Sequence, residues 1–285
     1  MRLGYLAPLT VRSIQNAKRL GYDALEASGG WMKQHLLDDL EANLPALQAA
    51  LGEAEIGVTA LTLYCNPMEM TVQEALAHYR RAFRLVKAVG GEVVATFTGR
   101  DNALTVEKNL PLFAERFGPI AQAAEDEGVR LAFEPWPGQV AGHGPYRWAN
   151  LATTPQLWDR LFEAAPSAAL GLEYDASHLL WQGIDYLQAI RGYAARIYHV
   201  HAKDIIVDRA VLKRVGVHGE GWWRFVIPGL GVIDWPALFA ALAEAGYRGD
   251  IAVEHEDRAF LDERWNEGLS LALKTLRPLV DAYPI

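Results

Sequence analysis

The amino-acid sequence predicts one α/β domain over residues 1–285, a (β/α)8 barrel. Its length exceeds the common domain size but lies within the range of a single barrel. Eight short apolar segments alternate with amphipathic patterns along the chain. This alternation favours parallel strands, because each return crossover uses a helix. An open doubly wound sheet would need a Gly-x-Gly-x-x-Gly turn after the first strand, and the sequence has none there.

The predicted strands are β-branched, aromatic or aliphatic runs that end in polar or turn-forming residues. They cover residues 2–7, 24–28, 57–64, 93–98, 130–134, 169–175, 197–201 and 250–254.

Amphipathic patterns predict helices in the intervening segments, among them residues 71–89, 105–127 and 235–245. Thr71 and Glu74 stand three residues apart, which is the spacing of a capping box. Asp234 precedes Trp235 and a proline, which is typical of an N-cap.

Two connections are long for this fold, residues 135–153 and 205–233. Long loops in a compact domain are usually functional. The second connection mixes glycine with aromatic residues, so we expect Trp222, Trp223 and Arg224 to form part of a lid.

The composition favours a soluble, cytoplasmic protein. Half of the residues, 51%, are hydrophobic, which allows a large core. The net charge of −8 argues against nucleic-acid and anionic-membrane partners. Cys65 is the single cysteine, so an intrachain disulfide and a thiolate metal cluster are excluded. The N-terminus lacks the pattern of a signal peptide, and no apolar run approaches the roughly 18 residues of a membrane span.

Four successive predicted strands end in a group that can bind a hard cation: Glu134, Asp175, His201 and Glu254. A carboxylate at the end of an apolar strand is costly unless it is paired or metal-bound. In a parallel barrel these ends meet at one mouth, where active sites lie. The alternative for each residue is a helix cap or a pair with an arginine. Together the four suit one divalent ion, with Mn²⁺ favoured and Mg²⁺, Co²⁺ or Zn²⁺ as alternatives.

Five short motifs follow one another along the second half of the chain: Glu134-Pro, Asp175-Ala-Ser-His178, His199-Val-His201-Ala-Lys-Asp204, Gly229-Leu-Gly-Val-Ile-Asp-Trp235 and Val253-Glu254-His-Glu-Asp257. Together they resemble the sugar phosphate isomerase/epimerase superfamily, the xylose isomerase-like TIM barrels. The resemblance implies metal binding by the four strand-end residues. It further implies that Glu134 and Glu254 act as an acid/base pair and that His178 binds substrate.

Further side chains are candidate substrate-binding residues. Lys203 and His199 share one strand face with His201, and His199 could equally support a metal ligand. Glu26 ends the second predicted strand, and Arg224 lies in the long loop after the seventh. Trp136 follows Glu134 and offers a flat face for the C–H side of a sugar. The sequence departs from the pattern of the ketose 3-epimerases at Val207, roughly where those enzymes carry an arginine. This difference argues against simple ketose epimerisation.

The main functional hypothesis is a divalent-metal-dependent sugar isomerase or epimerase. It would remove a proton next to a carbonyl and pass through an enediolate stabilised by the metal. A first alternative is a dehydratase or lyase acting on keto-sugars, keto-glycosides or inososes. A second is a non-catalytic sugar-binding barrel subunit, and a third is a nuclease resembling the apurinic endonucleases. The expected partner is a small sugar derivative, and the sequence allows a homo-oligomer.

Overall fold

A computed structural model describes residues 1–28, 36–138 and 149–283. Eight parallel strands form a closed barrel, and two further strands form an antiparallel pair outside it. The strands are β1 (Leu3–Ala7), β2 (Ala24–Ser28), β3 (Gly57–Leu63), β4 (Val93–Thr96), β5 (Arg130–Phe133), β6 (Leu170–Asp175), β7 (Ile197–Ala202), β8 (Asp204–Val207), β9 (Trp223–Val226) and β10 (Ile251–Val253). Around the barrel they run β1, β10, β7, β6, β5, β4, β3, β2.

The described helices are α1 (Val11–Leu20), α2 (Leu36–Ala54), α3 (Val72–Ala88), α4 (Val106–Glu127), α5 (Pro155–Ala164), α6 (Ala176–Trp181), α7 (Tyr186–Tyr193), α8 (Arg209–Val215), α9 (Trp235–Glu244) and α10 (Trp265–Ala282). None of the helices in these parts of the chain combines the length and apolarity that crossing a bilayer requires.

The predicted barrel is confirmed, and each of its eight strands lies within two residues of its expected bounds. The capping box is present, since Thr71 accepts a hydrogen bond from the backbone of Glu74 and the Glu74 side chain accepts one from Thr71. Asp234 caps α9 as expected. Of the first long connection, residues 139–148 lie outside the described part of the chain.

Two layers of packing hold the barrel. Helix side chains such as Phe113 and Phe117 are fully buried against Phe133 on the outside of the strands. A second cluster of buried residues packs Ala95 and Ala132 together on neighbouring strands. Small residues at these positions leave room at the strands' carboxyl ends for large polar side chains.

The second long connection contains more structure than a loop. Strands β8 and β9 pair as an antiparallel sheet, with Ile205 opposite Phe225, and α8 lies between them. The sequence signal for this pair is weak, because each strand has only four residues and its partner is distant in the chain.

Asp204 anchors the segment that follows this sheet. Its buried carboxylate accepts five hydrogen bonds. The donors are the backbone N–H groups of Ile205, Gly229, Gly231 and Ile233 and the indole N–H of Trp235. This carboxylate explains why the Lys-Asp and Gly-Leu-Gly-Val-Ile-Asp-Trp motifs occur together.

Gly231 tests this anchor, because a Cβ there would overlap the Asp204 carboxylate. We expect Gly231→Ala to lower the free energy of unfolding by about 1–3 kcal/mol, the usual range for overpacking a buried site. Gly52→Ala is the matched control: Gly52 lies in α2, where an added Cβ meets nothing within 4 Å. Urea denaturation followed by circular dichroism should leave the control unchanged or slightly stabilised. An unchanged midpoint for Gly231→Ala would contradict this account of the segment.

Candidate active site

The four predicted metal ligands come together at the carboxyl end of the barrel. Asp175 is the last residue of β6, His201 lies in β7, and Glu134 and Glu254 directly follow β5 and β10. Each is buried, with at most 7% of the residue exposed. The period-two alternation of the strands therefore turns these side chains toward one space, as the sequence predicts.

The distances within this group fit a divalent cation. Nδ1 of His201 lies 3.0 Å from Oε2 of Glu254 and 3.7 Å from Oε1 of Glu134. Nδ1 of His201 and Oδ2 of Asp175 are both buried and have no hydrogen-bond partner in the structure. A buried donor set of three carboxylates and one imidazole, with lone pairs left unused, suits a metal ion of the Mn²⁺ or Zn²⁺ type.

His178 offers a second nitrogen to the same group. It lies on α6, and its Nε2 is 3.2 Å from Oε1 of Glu134 and 3.6 Å from Oδ2 of Asp175. Single donor atoms of Glu134, Asp175, His178 and Glu254 all lie within 4.8 Å of one another. His178 is therefore placed either to bind a ligand beside the metal or to replace His201 in the donor set.

Lys203 carries a positive charge into this group and is 1% exposed. Its Nζ lies 2.5 Å from Oε2 of Glu254, 3.2 Å from Oδ2 of Asp175 and 3.3 Å from Oε2 of Glu256. Burial lowers the pKa of Lys203, but the surrounding carboxylates outweigh burial and raise it well above its usual value. The ammonium group therefore keeps its proton and offsets part of the negative charge.

The two glutamates remain ionised despite their burial. Burial raises the pKa of Glu134, but the nearby imidazoles of His178 and His201 and the charge of Lys203 more than offset it and bring the pKa well below its usual value. For Glu254, burial also raises the pKa, and the charges of Lys203 and His201 lower it overall. Ionised carboxylates can bind a cation and accept a proton.

A second polar layer lies beneath the first. Glu26, Glu173 and His199 are fully buried on the inner faces of β2, β6 and β7. Nε2 of His201 reaches down to this layer, 2.9 Å from Oε2 of Glu26 and 3.2 Å from Oε1 of Glu173. Glu26 and His199, predicted to touch substrate, thus lie below His201. Glu173 was not among the predicted site residues, although its position two residues before Asp175 puts it on the same strand face.

Aromatic rings line one side of the mouth. Tyr64 stacks on Phe97 at 4.1 Å between ring centroids, and Phe97 stacks on Trp136 at 4.9 Å. The Tyr64 hydroxyl donates a hydrogen bond to Oε2 of Glu173 at 3.3 Å. Trp136, a predicted substrate-binding residue, is therefore held at the edge of the site by a stack of rings.

The β8–β9 sheet covers another side of the site through Phe225. The ring of this residue lies 4.5 Å from Nζ of Lys203 and packs edge-on against His178 at 5.3 Å. Trp223 shares this side of the sheet and stacks on Trp181. The side chain of Arg224, a predicted substrate-binding residue, is 58% exposed and pairs with Asp257 at 3.3 Å. Trp222 is buried, so the structure distributes the predicted lid residues over both sides of the sheet.

A family model for the xylose isomerase-like TIM barrel matches residues 14–279. The chain belongs to this family. Solved structures share the fold: the IOLI protein with a bound zinc atom is 20% identical, with a TM-score of 0.76 and coverage of 100% of this chain and 99% of that one. D-allulose 3-epimerase from Methylomonas sp. is 18% identical, with a TM-score of 0.71 and coverage of 99% and 97%.

Several inosose dehydratases are similar to this chain in sequence. The inosose dehydratase of Geobacillus thermodenitrificans (strain NG80-2) is 26% identical over 214 residues, which cover 68% of this chain and 66% of that protein. The chain thus spans slightly less than two thirds of this relative's length.

Removal of His201 tests the metal site. We expect metal-loaded wild type to hold one divalent ion per chain and His201→Ala to lose most of it, because an unpartnered ring nitrogen is removed from the donor set. Elemental analysis after gel filtration measures this, with exposed His218→Ala as the matched control. Equal metal content in His201→Ala and wild type would contradict the assignment. Loss of the metal in His178→Ala, with normal metal content in His201→Ala, would show that His178 is the nitrogen ligand.

Phe225 should shield Lys203 from solvent. We expect Phe225→Ala to increase the rate at which reagents such as formaldehyde with a mild reductant methylate Lys203, because the ring that covers the ammonium group is gone. Mass spectrometry of peptides gives this rate without a substrate. Arg224→Ala is the comparison, since that side chain is exposed and paired with Asp257. If both variants expose Lys203 equally, the assignment of the two sides of the sheet is wrong.

Proposed function

We propose that this chain is a metal-dependent dehydratase acting on cyclic keto-polyols of the inosose type. The observation that carries the proposal is the buried ammonium group of Lys203, which touches Glu254, Asp175 and His178. Loss of a hydroxyl group as water needs a proton donor beside the departing oxygen. Epimerisation needs only the two carboxylates, so a protonated lysine among them favours elimination.

The two glutamates have different surroundings, and this suggests different roles. Glu254 is 2.5 Å from the Lys203 ammonium, which places it beside the proposed proton donor. Glu134 contacts the His178 imidazole instead, at 3.2 Å. In the proposed reaction Glu134 accepts the proton from the carbon next to the carbonyl. Lys203, supported by Glu254, donates a proton to the hydroxyl on the next carbon.

This reaction balances as a β-elimination. The C–H bond next to the carbonyl breaks, its electron pair forms the new C=C bond, and the neighbouring C–O bond breaks as water leaves. A divalent cation held by Glu134, Asp175, His201 and Glu254 would supply Lewis acidity near the carbonyl. The buried position of the group and the cover of Phe225 keep bulk water away from the reactive enol.

The comparisons support this class of reaction. The curated relatives that share part of the chain are inosose dehydratases, and a structural neighbour carries zinc. Zn²⁺ therefore joins Mn²⁺ and Co²⁺ as a metal to supply in assays. Sugar-derivative chemistry in the relatives also favours an enzyme over a binding subunit.

Isomerisation or epimerisation, the main hypothesis from sequence, is the second candidate. Glu134 and Glu254 follow strands on different sides of the barrel and both approach Nδ1 of His201, so they could act on two faces of one substrate. A D-allulose 3-epimerase shares the fold. Assays of proton exchange and of water loss on the same substrates separate the two candidates.

Lys203 distinguishes elimination from proton exchange. Keto-inositols, ketoses and keto-glycosides are incubated in deuterated solvent with each metal, and NMR follows deuterium at the carbon next to the carbonyl and the loss of water. We expect wild type to dehydrate a keto-inositol and Lys203→Met to exchange the proton while eliminating water about 10²-fold more slowly or worse. Exposed Lys213→Met is the control. Exchange that yields an epimer without loss of water would replace this proposal with the second candidate.

Replacement of Glu134 and replacement of Glu254 should affect proton exchange and elimination differently. We expect Glu134→Gln to lose exchange and elimination by about 10²-fold or more, on general-base magnitudes, because the base is gone. In Glu254→Gln with confirmed metal content, exchange should persist better than elimination. Normal rates for both reactions in metal-loaded Glu254→Gln would mean that Glu254 serves as a ligand only.

A further inference from the structure

The polar layer beneath the metal ligands is unusual for the interior of a barrel. Glu173 pairs in register with His199, as Asp175 pairs with His201, so the two layers are stacked two residues apart along β6 and β7. Glu26 joins the lower layer from β2. Two fully buried carboxylates among apolar strands are costly unless they have partners.

The partners of these carboxylates are polar side chains from several parts of the barrel. Glu26 accepts from the Thr62 hydroxyl, and Glu173 accepts from the Tyr64 hydroxyl at 3.3 Å. Nδ1 of His199 lies 3.0 Å from Oε1 of Glu173. Each carboxylate is thus fixed on one side by a hydroxyl, and its other oxygen faces His201.

The ring of His201 is held between the two layers. Its Nε2 faces Glu26 at 2.9 Å and Glu173 at 3.2 Å, and its Nδ1 faces Glu254 and Glu134. With a divalent ion at Nδ1, the neutral ring would carry its proton on Nε2, where the oxygens of Glu26 and Glu173 are placed to accept it. The lower layer would then hold the ring with the Nδ1 lone pair facing the ion, as carboxylate–histidine–metal arrangements require.

We propose that Glu26 and Glu173 are positioning residues that fix the ring and the tautomer of His201 for metal binding. The proposal rests on the metal site proposed above and not on the identity of the reaction. Glu173 contributes more to this positioning than Glu26, because it also holds His199 and Tyr64 in place. Glu26 lies closer to Nε2 of His201. Both carboxylates therefore hold the ring, and when one is replaced the other still holds it in part.

Metal affinity is the first measurement. Mn²⁺ is titrated into the metal-stripped full-length chain, and free Mn²⁺ is followed by electron paramagnetic resonance. We expect Glu173→Gln and Glu26→Gln to weaken binding about 10–100-fold, the range for residues that support metal ligands, and the double variant to weaken it most. Thr59→Val is the matched control, since Thr59 is a buried polar residue of β3 that bonds to the Leu25 carbonyl instead.

The tautomer of His201 is the second measurement, and a purely structural role would not change it. In the protein loaded with diamagnetic Zn²⁺, long-range ¹H–¹⁵N correlation of ring-labelled histidine reports which nitrogen carries the proton. We expect Nε2–H in the wild type and a mixture of tautomers in the double variant, with His218 unchanged.

Three outcomes decide the proposal. Affinity and tautomer in both Gln variants equal to those of Thr59→Val would overturn it and leave the lower layer a structural feature. Two Mn²⁺ ions per wild-type chain, falling to one in Glu173→Gln, would also overturn it, because the lower layer would then bind an ion itself. If the Gln variants do not fold, Thr62→Val, which removes only the hydroxyl that holds Glu26, should weaken Mn²⁺ binding several-fold, and unchanged binding would count against the proposal.

Discussion

Concentrated negative charge at one end of the barrel is the constraint on which the rest of the site depends. Glu134, Asp175 and Glu254 face one space, and Glu26 and Glu173 lie directly below. Charges removed from water need partners, and a carboxylate left alone would become protonated or destabilise the fold. The buried lysine, the imidazoles and the hydroxyls between the strands can all be understood as responses to that charge. A divalent cation at the upper layer, as proposed above, would complete the balance.

Much of the barrel and the upper layer could be predicted from the sequence, because both follow from a short-range pattern. An apolar run that stops at a carboxylate locates the end of a strand, and period two tells which residues share its face. This placed Glu134, Asp175, His201 and Glu254 at one mouth and put His199 and Lys203 on the face of His201. The capping box at Thr71 is equally local, since it needs only four consecutive residues.

The remaining features depend on contacts between distant segments. Glu173 has the correct alternation, but its role appears only when β2 brings Glu26 to the same His201 nitrogen. Phe225 reaches the site because β9 pairs with β8, and pairing across a helix leaves little trace in a four-residue strand. Arg224 was the more conspicuous residue in sequence, yet its neighbour's ring contacts the site. Alternation in β9 decides between them, and the sequence does not show that β9 is a strand.

The contacts that anchor the two ends of the β8–β9 sheet also show which part of this connection the fold requires and which part can change. Asp204, adjacent to Lys203, ties down the chain on the far side of the sheet, and the Asp208 N–H bonds to the Trp222 carbonyl at 2.6 Å. The segment between Asp208 and Trp222, an excursion that contains α8, therefore begins and ends at one point, where this hydrogen bond joins its two ends. Such a segment can be replaced by one of another length or composition, in evolution or by design, while the charged centre below keeps its geometry. Barrels built this way can then diverge at the excursion without disturbing the charged centre.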